Sequence, residues 1–241
     1  MSTQLAVLAD GHIGHDDPER LLALVRALDG LPPSVKELWI LGDLFEVWIG
    51  VARPEPQVEA LGAALGRLRA RGVRTGYVEG NRDYHIADGP PRRLFDMASR
   101  EAVDVPFGTK TLHLAHGDLL NLADRQYRAW RFASRRLLAP LALRLLPAAT
   151  LLRLGGWLER RFRTTNRRHK GYFPGAACEA YTRAAMSRGA DLVVVGHLHQ
   201  ALGLEVTEGG RKGLFVSLPF WHQEPRFVYI DEEGRVTGLE P

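Results

Sequence analysis

The chain contains one cysteine, Cys178, among its 241 residues. A single thiol excludes an internal disulfide and a metal cluster held by cysteines. The sequence also lacks an apolar run long enough to cross a bilayer, and its first residues do not resemble a signal peptide. With 45% hydrophobic and 25% charged residues, the composition predicts a globular cytoplasmic protein, in which residues 1–241 form one α/β domain that carries an insertion.

Charge is unevenly distributed along the chain. Residues 125–170 contain 13 Lys or Arg and a single acid, Glu159, so this stretch carries +12. Because the whole chain carries +4, the remainder carries −8. The basic stretch is also rich in leucine and aromatic residues, and breaks at Pro140, Pro147 and a glycine pair predict two or three helices within it. We therefore expect a basic, apolar helical insertion over residues 123–173.

The composition of this insertion leaves three interpretations open. Helices with arginine on one side and leucine, tryptophan and phenylalanine on the other can lie on an anionic membrane surface or grip an acylated, diphosphorylated substrate. They can also form a cap that packs on the core and exposes its arginines to water. A nucleic-acid-binding protein or nuclease would use the same charges to contact phosphates, but so much leucine argues against it. We therefore expect a peripheral membrane protein with no nucleic acid partner.

Outside the insertion, apolar runs alternate with amphipathic stretches. The apolar runs predict buried strands over residues 5–9, 37–41, 73–79, 110–115 and 191–195. The amphipathic stretches predict helices over residues 18–28, 58–71 and 175–188. Later runs that suggest antiparallel pairing cover residues 202–206, 213–217 and 227–230. This alternation predicts a layered α/β arrangement with helices outside and sheet inside.

Five short blocks of Asp, Asn or His punctuate the chain, and most of them end a predicted strand. The blocks are Asp10-Gly-His12, Gly42-Asp43, Gly80-Asn81-Arg82-Asp83, His116-Gly117-Asp118 and Gly196-His197-Leu198-His199. In open α/β sheets, sites form in the loops beyond the carboxyl ends of parallel strands. We therefore expect the five blocks to gather at one sheet edge.

Seven side chains of these blocks are candidate ligands for two metal ions: Asp10, His12, Asp43, Asn81, His116, His197 and His199. In an extended segment residues i and i+2 point the same way, so the Asp-x-His and His-x-His pairs can each converge on one centre. The carboxylate of Asp43 can bridge two cations. Asp83 and Asp118 follow two of the ligands, and they are candidates either for acceptors that orient ligands or for solvated loop carboxylates.

This donor set indicates both the metal and the reaction. Carboxylate, amide oxygen and imidazole without thiolate favour Mn²⁺, Fe²⁺, Zn²⁺ or Co²⁺, of which Mn²⁺ is our first choice. Two such ions about 3.5–4 Å apart can activate a water molecule and neutralise the charge on phosphoryl oxygens. Hydrolysis at phosphorus is the predicted reaction, with Asp43, Asn81 and His116 as catalytic residues as well as ligands.

The order and spacing of the five blocks resemble the calcineurin-like metallophosphoesterase family. The intervals are 31 residues from His12 to Asp43, 38 from Asp43 to Asn81, 35 from Asn81 to His116 and 81 from His116 to His197. The resemblance covers most of the chain. It implies the fold of that family, a layered α/β/β/α sandwich of two sheets flanked by helices, with the basic insertion as a helical lid.

Within that family, three segments resemble the UDP-2,3-diacylglucosamine pyrophosphohydrolases of lipid A synthesis: residues 42–50, residues 80–83 and Trp221-His222. This resemblance implies a monomeric enzyme at the inner membrane face. It would cleave its substrate to UMP and 2,3-diacylglucosamine 1-phosphate, with attack on the UMP-side phosphorus. Many relatives have His where Arg82 stands. Because a guanidinium stays protonated, we expect catalytic Arg82 to stabilise oxyanions by charge alone.

The same resemblance implies contacts with the substrate. It places the lid over the acyl chains, and it places His222 in the lining of the site. The residues implied beside the nucleotide or the phosphates are Arg82, Tyr127, Asn166 and Lys170, with the Arg167-Arg168 pair as an alternative.

Two departures from the resemblance leave another substrate open. Residues 51–56 replace an expected acidic stretch, and the first block is Asp-Gly-His rather than Asp-Leu-His. A cyclic nucleotide, a dinucleotide polyphosphate or another phosphodiester is therefore the alternative substrate. A scaffold that binds little metal would lack ligands, and none of the seven is missing.

Overall fold

The structure is a computed structural model in which most of the chain outside the insertion is described. The described residues are 2–14, 17–46, 48, 56–83, 85–120, 125–133 and 173–240, with scattered residues between 136 and 157. Helices in this part of the chain are α1 (Pro18–Asp29), α2 (Pro56–Ala70), α3 (Arg125–Ala133) and α4 (Gly175–Met186), with a 3-10 helix at Pro90–Leu94. The strands are β1 (Gln4–Leu8), β2 (Val35–Ile40), β3 (Arg74–Val78), β4 (Met97–Ser99), β5 (Val103–Phe107), β6 (Lys110–Ala115), β7 (Leu192–Val195), β8 (Leu202–Glu208), β9 (Arg211–Ser217), β10 (Val228–Asp231) and β11 (Val236–Thr237).

These strands form two sheets. The first has the order β11-β10-β1-β2-β3-β4, in which β1 to β4 are parallel while β10 and β11 pair antiparallel with their neighbours. The second has the order β5-β6-β7-β9-β8, with β6, β7 and β9 parallel and an antiparallel strand on each edge. The late strands are therefore split, because β8 and β9 form a hairpin in the second sheet whereas β10 joins the first.

Hydrophobic cores fill the gaps between the layers. The first core joins α1 and α2 to one face of the first sheet and includes Leu24 and Leu38. The second lies between the two sheets and includes Trp39 and Val194, and the third joins the second sheet to α4 through residues such as Met186. Leu38 and Trp39 enter opposite cores because successive side chains of a strand point to opposite faces. The predicted α/β/β/α sandwich is confirmed.

Two helix boundaries explain how the chain enters and leaves the helical layer. The carboxylate of Asp17 accepts a hydrogen bond from the backbone N–H of Arg20 at 3.1 Å and caps α1, whose first residue is Pro18. After α2, Gly72 has a φ of +77°, a left-handed conformation that glycine adopts without strain. The start of α1 and the end of α2 therefore each lie where the sequence supplies a suitable capping residue.

The structure differs from the sequence-based predictions at the sheet edges. Strands β4, β5 and β11, which the apolar pattern does not predict, are edge strands of two to five residues. Edge strands are partly exposed and tolerate proline, as at Pro106 in β5, so they carry no continuous apolar run. The prediction that all five blocks lie at one sheet edge is wrong. Three blocks follow β1, β2 and β3 of the first sheet, and two follow β6 and β7 of the second.

Helix α3 connects the start of the insertion to the sandwich. Arg131 Nε donates to Asp118 Oδ2 at 2.9 Å, and its Nη1 lies 3.1 Å from both carboxylate oxygens of Glu101. Large exposed apolar side chains of the insertion are Phe132, Leu137, Leu141, Leu145, Leu146, Leu154 and Trp157. Among the described helices none is long and apolar enough to span a membrane. The predicted breaks at Pro140 and the glycine pair lie outside the described residues.

Candidate metal centre

The first two blocks are fixed side by side by backbone hydrogen bonds that continue beyond the strand ends. Asp10 N donates to Gly42 O at 3.1 Å, and His12 N donates to Asp43 O at 3.0 Å. Because these bonds join backbone to backbone, the side chains of the two blocks meet in a fixed register.

Left-handed backbone is concentrated in the predicted ligands. Among the described residues, non-glycine residues with positive φ are Asp10, His12, Asp43, His85, His197 and His199, five of which are predicted ligands. Such conformations cost about 1–3 kcal/mol each and persist where the surrounding structure imposes them. The expectation that Asp10 and His12, and likewise His197 and His199, converge through extended backbone is therefore wrong. Both members of each pair instead have a left-handed backbone.

The glycines of the blocks permit close contact between loops. A Cβ on Gly80 would lie 2.1 Å from Asp43 Oδ1 and 2.3 Å from the backbone N of the same residue. A Cβ on Gly42 would lie 2.8 Å from His116 Nδ1. Real Cβ atoms do not approach other atoms this closely, so the second, third and fourth blocks can meet only with glycine at these positions.

The first ligand group consists of Asp10, His12 and His199. Asp10 Oδ1 lies 3.3 Å from His199 Nε2 and 3.8 Å from His12 Nε2. Asp10 Oδ1 and His12 Nε2 are buried and have no hydrogen-bond partner. Buried polar atoms without a partner are costly, and these two face one another across a gap that a cation would fill. The residues of this group therefore fit a divalent metal ion.

The second ligand group consists of Asp43, His116 and His197. His116 Nε2 lies 3.6 Å from Asp43 Oδ2, 3.2 Å from His197 Nδ1 and 3.0 Å from Asn81 Oδ1. His116 Nδ1 lies 2.8 Å from the carbonyl oxygen of Leu41. Because a carbonyl can only accept, Nδ1 carries the proton and a neutral ring keeps the lone pair of Nε2 for a metal ion.

Asp43, a member of the second group, also lies close to the first. Its Oδ2 is 4.0 Å from His12 Nε2 in the first group and 3.6 Å from His116 Nε2 in the second. Within each group, one ligand atom from each residue lies within 4.8 Å of the others. The structure therefore brings together all seven predicted ligands, with the Asp43 carboxylate close to both groups.

The electrostatics of the two groups reflect burial and crowding. Burial raises the pKa of Asp43, although the charge of His116 partly opposes it. Burial would also raise the pKa of Asp10, but surrounding histidines, above all His199, outweigh it and the pKa is lowered. Burial lowers the pKa of His197 to about 4. Carboxylates bind cations in their ionised form and imidazoles in their neutral form. Metal binding would therefore release the proton that its raised pKa allows Asp43 to hold.

Asp83 is a buried carboxylate that ties the second block to the third. It accepts hydrogen bonds from the backbone N–H of Leu44 and of Gly80, both at 2.8 Å, and from the hydroxyl of Tyr77. It is 0% exposed, so the alternative of a solvated loop carboxylate is excluded. Its hydrogen bonds orient the loops that carry Asp43 and Asn81.

Asp118 has a different partner. Its carboxylate pairs with Arg131 of α3, and its side chain is 4% exposed, so this residue is not a solvated carboxylate either. Because Asp118 lies two residues after His116, this ion pair joins the insertion to the loop of the fourth block.

Arg82 lies against the ligand Asp43. Its backbone N–H donates to Asp43 Oδ1 at 2.8 Å, and its Nε lies 3.5 Å from Asp43 Oδ2. Its Nη1 donates to Glu46 Oε1 at 2.6 Å. The sequence analysis did not identify Glu46 as a functional residue. Its position inside the quoted segment 42–50 was the available signal.

An aromatic stack covers the first ligand group. The rings of His199 and Phe220 are parallel with centroids 4.0 Å apart, and the ring of His222 is also parallel to that of Phe220, with centroids 5.0 Å apart. Burial, followed by the charge of Arg20, lowers the pKa of His222 to about 4, so the imidazole is neutral near pH 7. Its buried Nδ1 has no hydrogen-bond partner. Phe220, which the sequence analysis also missed, immediately precedes the quoted Trp221-His222 pair.

The other predicted substrate contacts lie in the insertion. Tyr127 is part of helix α3, but its side chain is outside the described structure. Asn166, Lys170 and the alternative pair Arg167-Arg168 lie outside the described residues. Their contacts with a substrate stay predictions.

Comparison with known proteins decides the family. The family model described as calcineurin-like phosphoesterase matches residues 3–201 of the chain. The chain belongs to the calcineurin-like phosphoesterase family. The predicted family is thereby confirmed, together with the predicted enzyme class, a metal-dependent phosphoesterase.

The phosphoesterase is similar over most of its length to proteins named UDP-2,3-diacylglucosamine hydrolase. The protein of this name from Aeromonas salmonicida (strain A449) is 30% identical over 220 residues, which cover 90% of this chain and 85% of that protein. The one from Edwardsiella ictaluri (strain 93-146) is 27% identical over 229 residues, covering 94% and 88%. The one from Pseudomonas putida (strain W619) is 27% identical over 237 residues, covering 98% of both chains.

Proposed function

We propose that this phosphoesterase hydrolyses the pyrophosphate bond of UDP-2,3-diacylglucosamine to UMP and 2,3-diacylglucosamine 1-phosphate. Hydrolysis at phosphorus rests on one observation above others, the position of Asp43 Oδ2 at 4.0 Å from His12 Nε2 and 3.6 Å from His116 Nε2. The choice of substrate is supported by relatives that bear the name UDP-2,3-diacylglucosamine hydrolase over most of the chain.

The seven ligands are proposed to hold two divalent metal ions, with Mn²⁺ as first choice. Asp10, His12 and His199 would hold one ion, His116, His197 and Asn81 the other, and Asp43 would contact both. When bound, such ions lower the pKa of a water molecule and neutralise charge on phosphoryl oxygens.

Arg82 is proposed to stabilise the transition state by charge. Its guanidinium is 8% exposed and lies beside Asp43, so a phosphoryl group bound at the two ligand groups would be within its reach. Charge-assisted hydrogen bonds of this kind stabilise developing oxyanions. The leaving group of a pyrophosphate is itself a phosphate of low basicity, so a permanent cation can take the place of a proton donor.

His222 is proposed to contact the substrate beside the first ligand group. Its ring is held by Phe220, and its Nδ1 lacks a partner in the absence of a ligand. A neutral imidazole can donate or accept a hydrogen bond there without adding charge.

The insertion is proposed to bind the acyl chains and the membrane surface that carries them. Its exposed apolar side chains include Leu137, Leu145 and Trp157, and its exposed arginines include Arg128 and Arg153. Apolar side chains beside arginines suit a lipid with an anionic head group. Tyr127, Asn166 and Lys170 remain proposed contacts for the nucleotide or phosphates.

The test is hydrolysis of UDP-2,3-diacylglucosamine with Mn²⁺ in ¹⁸O-labelled water, followed by phosphorus NMR of both products. We expect UMP to carry the label, because attack is proposed at the UMP-side phosphorus. A label on the sugar phosphate would contradict the mechanism. Faster turnover of a cyclic nucleotide, a dinucleotide polyphosphate or a nucleic acid under the same conditions would contradict the substrate.

A further inference from the structure

Glu46 is a buried acid at the edge of the first ligand group. Its backbone N donates to Ile13 O at 3.0 Å, and Phe45 pairs with Ile13 in an isolated parallel bridge. Glu46 is 5% exposed. The backbone therefore fixes this residue next to the loop that carries His12.

The Glu46 carboxylate contacts two functional side chains with different oxygens. Oε2 lies 3.3 Å from His12 Nδ1, and Oε1 accepts from Arg82 Nη1 at 2.6 Å. The opposite nitrogen of the His12 ring, Nε2, faces the carboxylates of Asp10 and Asp43 at 3.8 and 4.0 Å. One nitrogen of His12 thus points to the ligand group and the other to Glu46.

The charge of Glu46 affects where the Arg82 guanidinium lies. Two carboxylates, Glu46 and Asp43, flank the buried guanidinium of Arg82, and the closer contact is with Glu46. Without the charge of Glu46, the guanidinium would be drawn towards Asp43 and would compete with a cation for its oxygen. The ring of His12 would also lose the carboxylate that lies 3.3 Å from its Nδ1, and a carboxylate on that side commonly orients a histidine ligand.

We propose that Glu46 is a positioning residue, which orients His12 Nε2 towards the metal ion and keeps the Arg82 guanidinium beside Asp43 without blocking it. The inference rests on the proposed function, because it takes His12 and Asp43 as metal ligands. Glu46 itself would touch neither the metal nor the substrate.

The test compares Glu46→Gln with the matched variant Glu37→Gln. Glu37 is also 5% exposed and pairs with an arginine, Arg74, but it lies on β2 and contacts the indole of Trp39 instead of a ligand. The affinity for Mn²⁺ alone is measured by electron paramagnetic resonance of free Mn²⁺. The melting temperature of the metal-free proteins is measured in parallel.

For Glu46→Gln we expect the Kd of Mn²⁺ to rise about 10–100-fold, the usual loss when a residue that supports a metal ligand is replaced. For Glu37→Gln we expect the parental Kd, even if the metal-free protein melts at a lower temperature. A Kd for Glu46→Gln within twofold of the parent would overturn the inference. If Glu46→Gln does not fold, Glu46→Asp is measured instead. Its shorter side chain cannot reach both His12 and Arg82, so we expect the same rise in the Kd of Mn²⁺.

The inference and the proposed function fail in different ways. If the parent enzyme binds Mn²⁺ but does not cleave the nucleotide-linked lipid, the proposed substrate is wrong. If Glu46→Gln still loses Mn²⁺ affinity in that case, the role of Glu46 is supported. A parent enzyme that cleaves this lipid while Glu46→Gln keeps full Mn²⁺ affinity overturns the inference alone.

Discussion

The ligand groups are built mostly from buried ionisable side chains, whereas the described part of the insertion carries exposed apolar side chains. Asp10 is 0% exposed and His12, Asp43 and His116 are each 2% exposed, while Leu145 is 65% exposed. Of the nine large apolar side chains exposed in the described residues, seven lie between positions 132 and 157. The two regions thus reverse the usual distribution of polar and apolar groups between core and surface.

We interpret each reversal as an adaptation to a ligand. Buried carboxylates and imidazoles are costly unless a partner compensates them, and the divalent metal ions that the family implies would compensate them here. Clustered exposed apolar side chains mark a surface that binds something apolar, for which the acyl chains of the proposed substrate are suited. We therefore propose that the ligand groups perform hydrolysis and that the insertion selects the substrate.

The largest effect is expected from removing the charge between the two ligand groups. Asp43→Asn keeps an oxygen for the Arg82 N–H but removes the negative charge. We expect Mn²⁺-dependent hydrolysis to fall more than about 100-fold, beyond the usual loss for residues that only support ligands. We also expect Mn²⁺ to raise the melting temperature of this variant much less than that of the parent, because binding to the folded state is weakened.

The control for this variant is Asp96→Asn. Asp96 also accepts a backbone N–H, that of Thr75 at 2.7 Å, but at the start of β3 and away from the blocks. The Asp96→Asn variant should be less stable than the parent, but Mn²⁺ should raise its melting temperature as much as that of the parent. An undiminished response to Mn²⁺ in Asp43→Asn would contradict the position assigned to this carboxylate.

An intermediate effect is expected where the backbone of the ligand region has no space. In Gly80→Ala the new Cβ would meet Asp43 Oδ1 at 2.1 Å, so we expect a loss of about 1–3 kcal/mol in unfolding free energy and weaker Mn²⁺ binding. Gly66→Ala is the control, since nothing lies within 4 Å of its Cβ within α2. This replacement should stabilise the helix by about 0.5–1 kcal/mol. Urea unfolding of metal-free protein measures both, and parental stability of Gly80→Ala would argue against the close contact.

The smallest effect on the fold is expected in the insertion. Replacing Leu137 and Leu145 together by serine should change the unfolding free energy by less than about 0.5 kcal/mol, because both side chains are exposed. The KM for the diacylated substrate should rise about tenfold, since complete burial of one leucine contributes about 1.5–3 kcal/mol. Hydrolysis of a water-soluble phosphodiester should not change.

Leu22→Ser provides the matched comparison, because Leu22 on α1 is 47% exposed outside the insertion. It should leave the KM for both substrates at the parental value. An equal rise in KM for the soluble phosphodiester in the Leu137 and Leu145 variant would break the division between a hydrolytic part and a selective part.

Sequence reasoning reached the central strands and the candidate ligands because both have local signatures. Continuous apolar runs such as residues 192–195 identify buried strands, and Asp, Asn or His placed directly after them identifies a site. Short edge strands such as β4 and β11 have no such signature, since their side chains are partly exposed. For Glu46 and Phe220 the only signal was a position in or beside a quoted segment, because a single glutamate or phenylalanine is common in any loop.

The sequence by itself determined the chemical groups of this protein: seven candidate ligands in a fixed order, a nearby arginine, and one basic and apolar segment. Only the tertiary structure decided that the ligands come from two sheets, that five of them take left-handed backbone, and that Glu46 bridges His12 and Arg82. The physical reason is the range of the interactions. Strand-forming runs and turn residues act between neighbours in the chain, whereas a distance such as 4.0 Å between His12 Nε2 and Asp43 Oδ2 depends on packing between segments 31 residues apart.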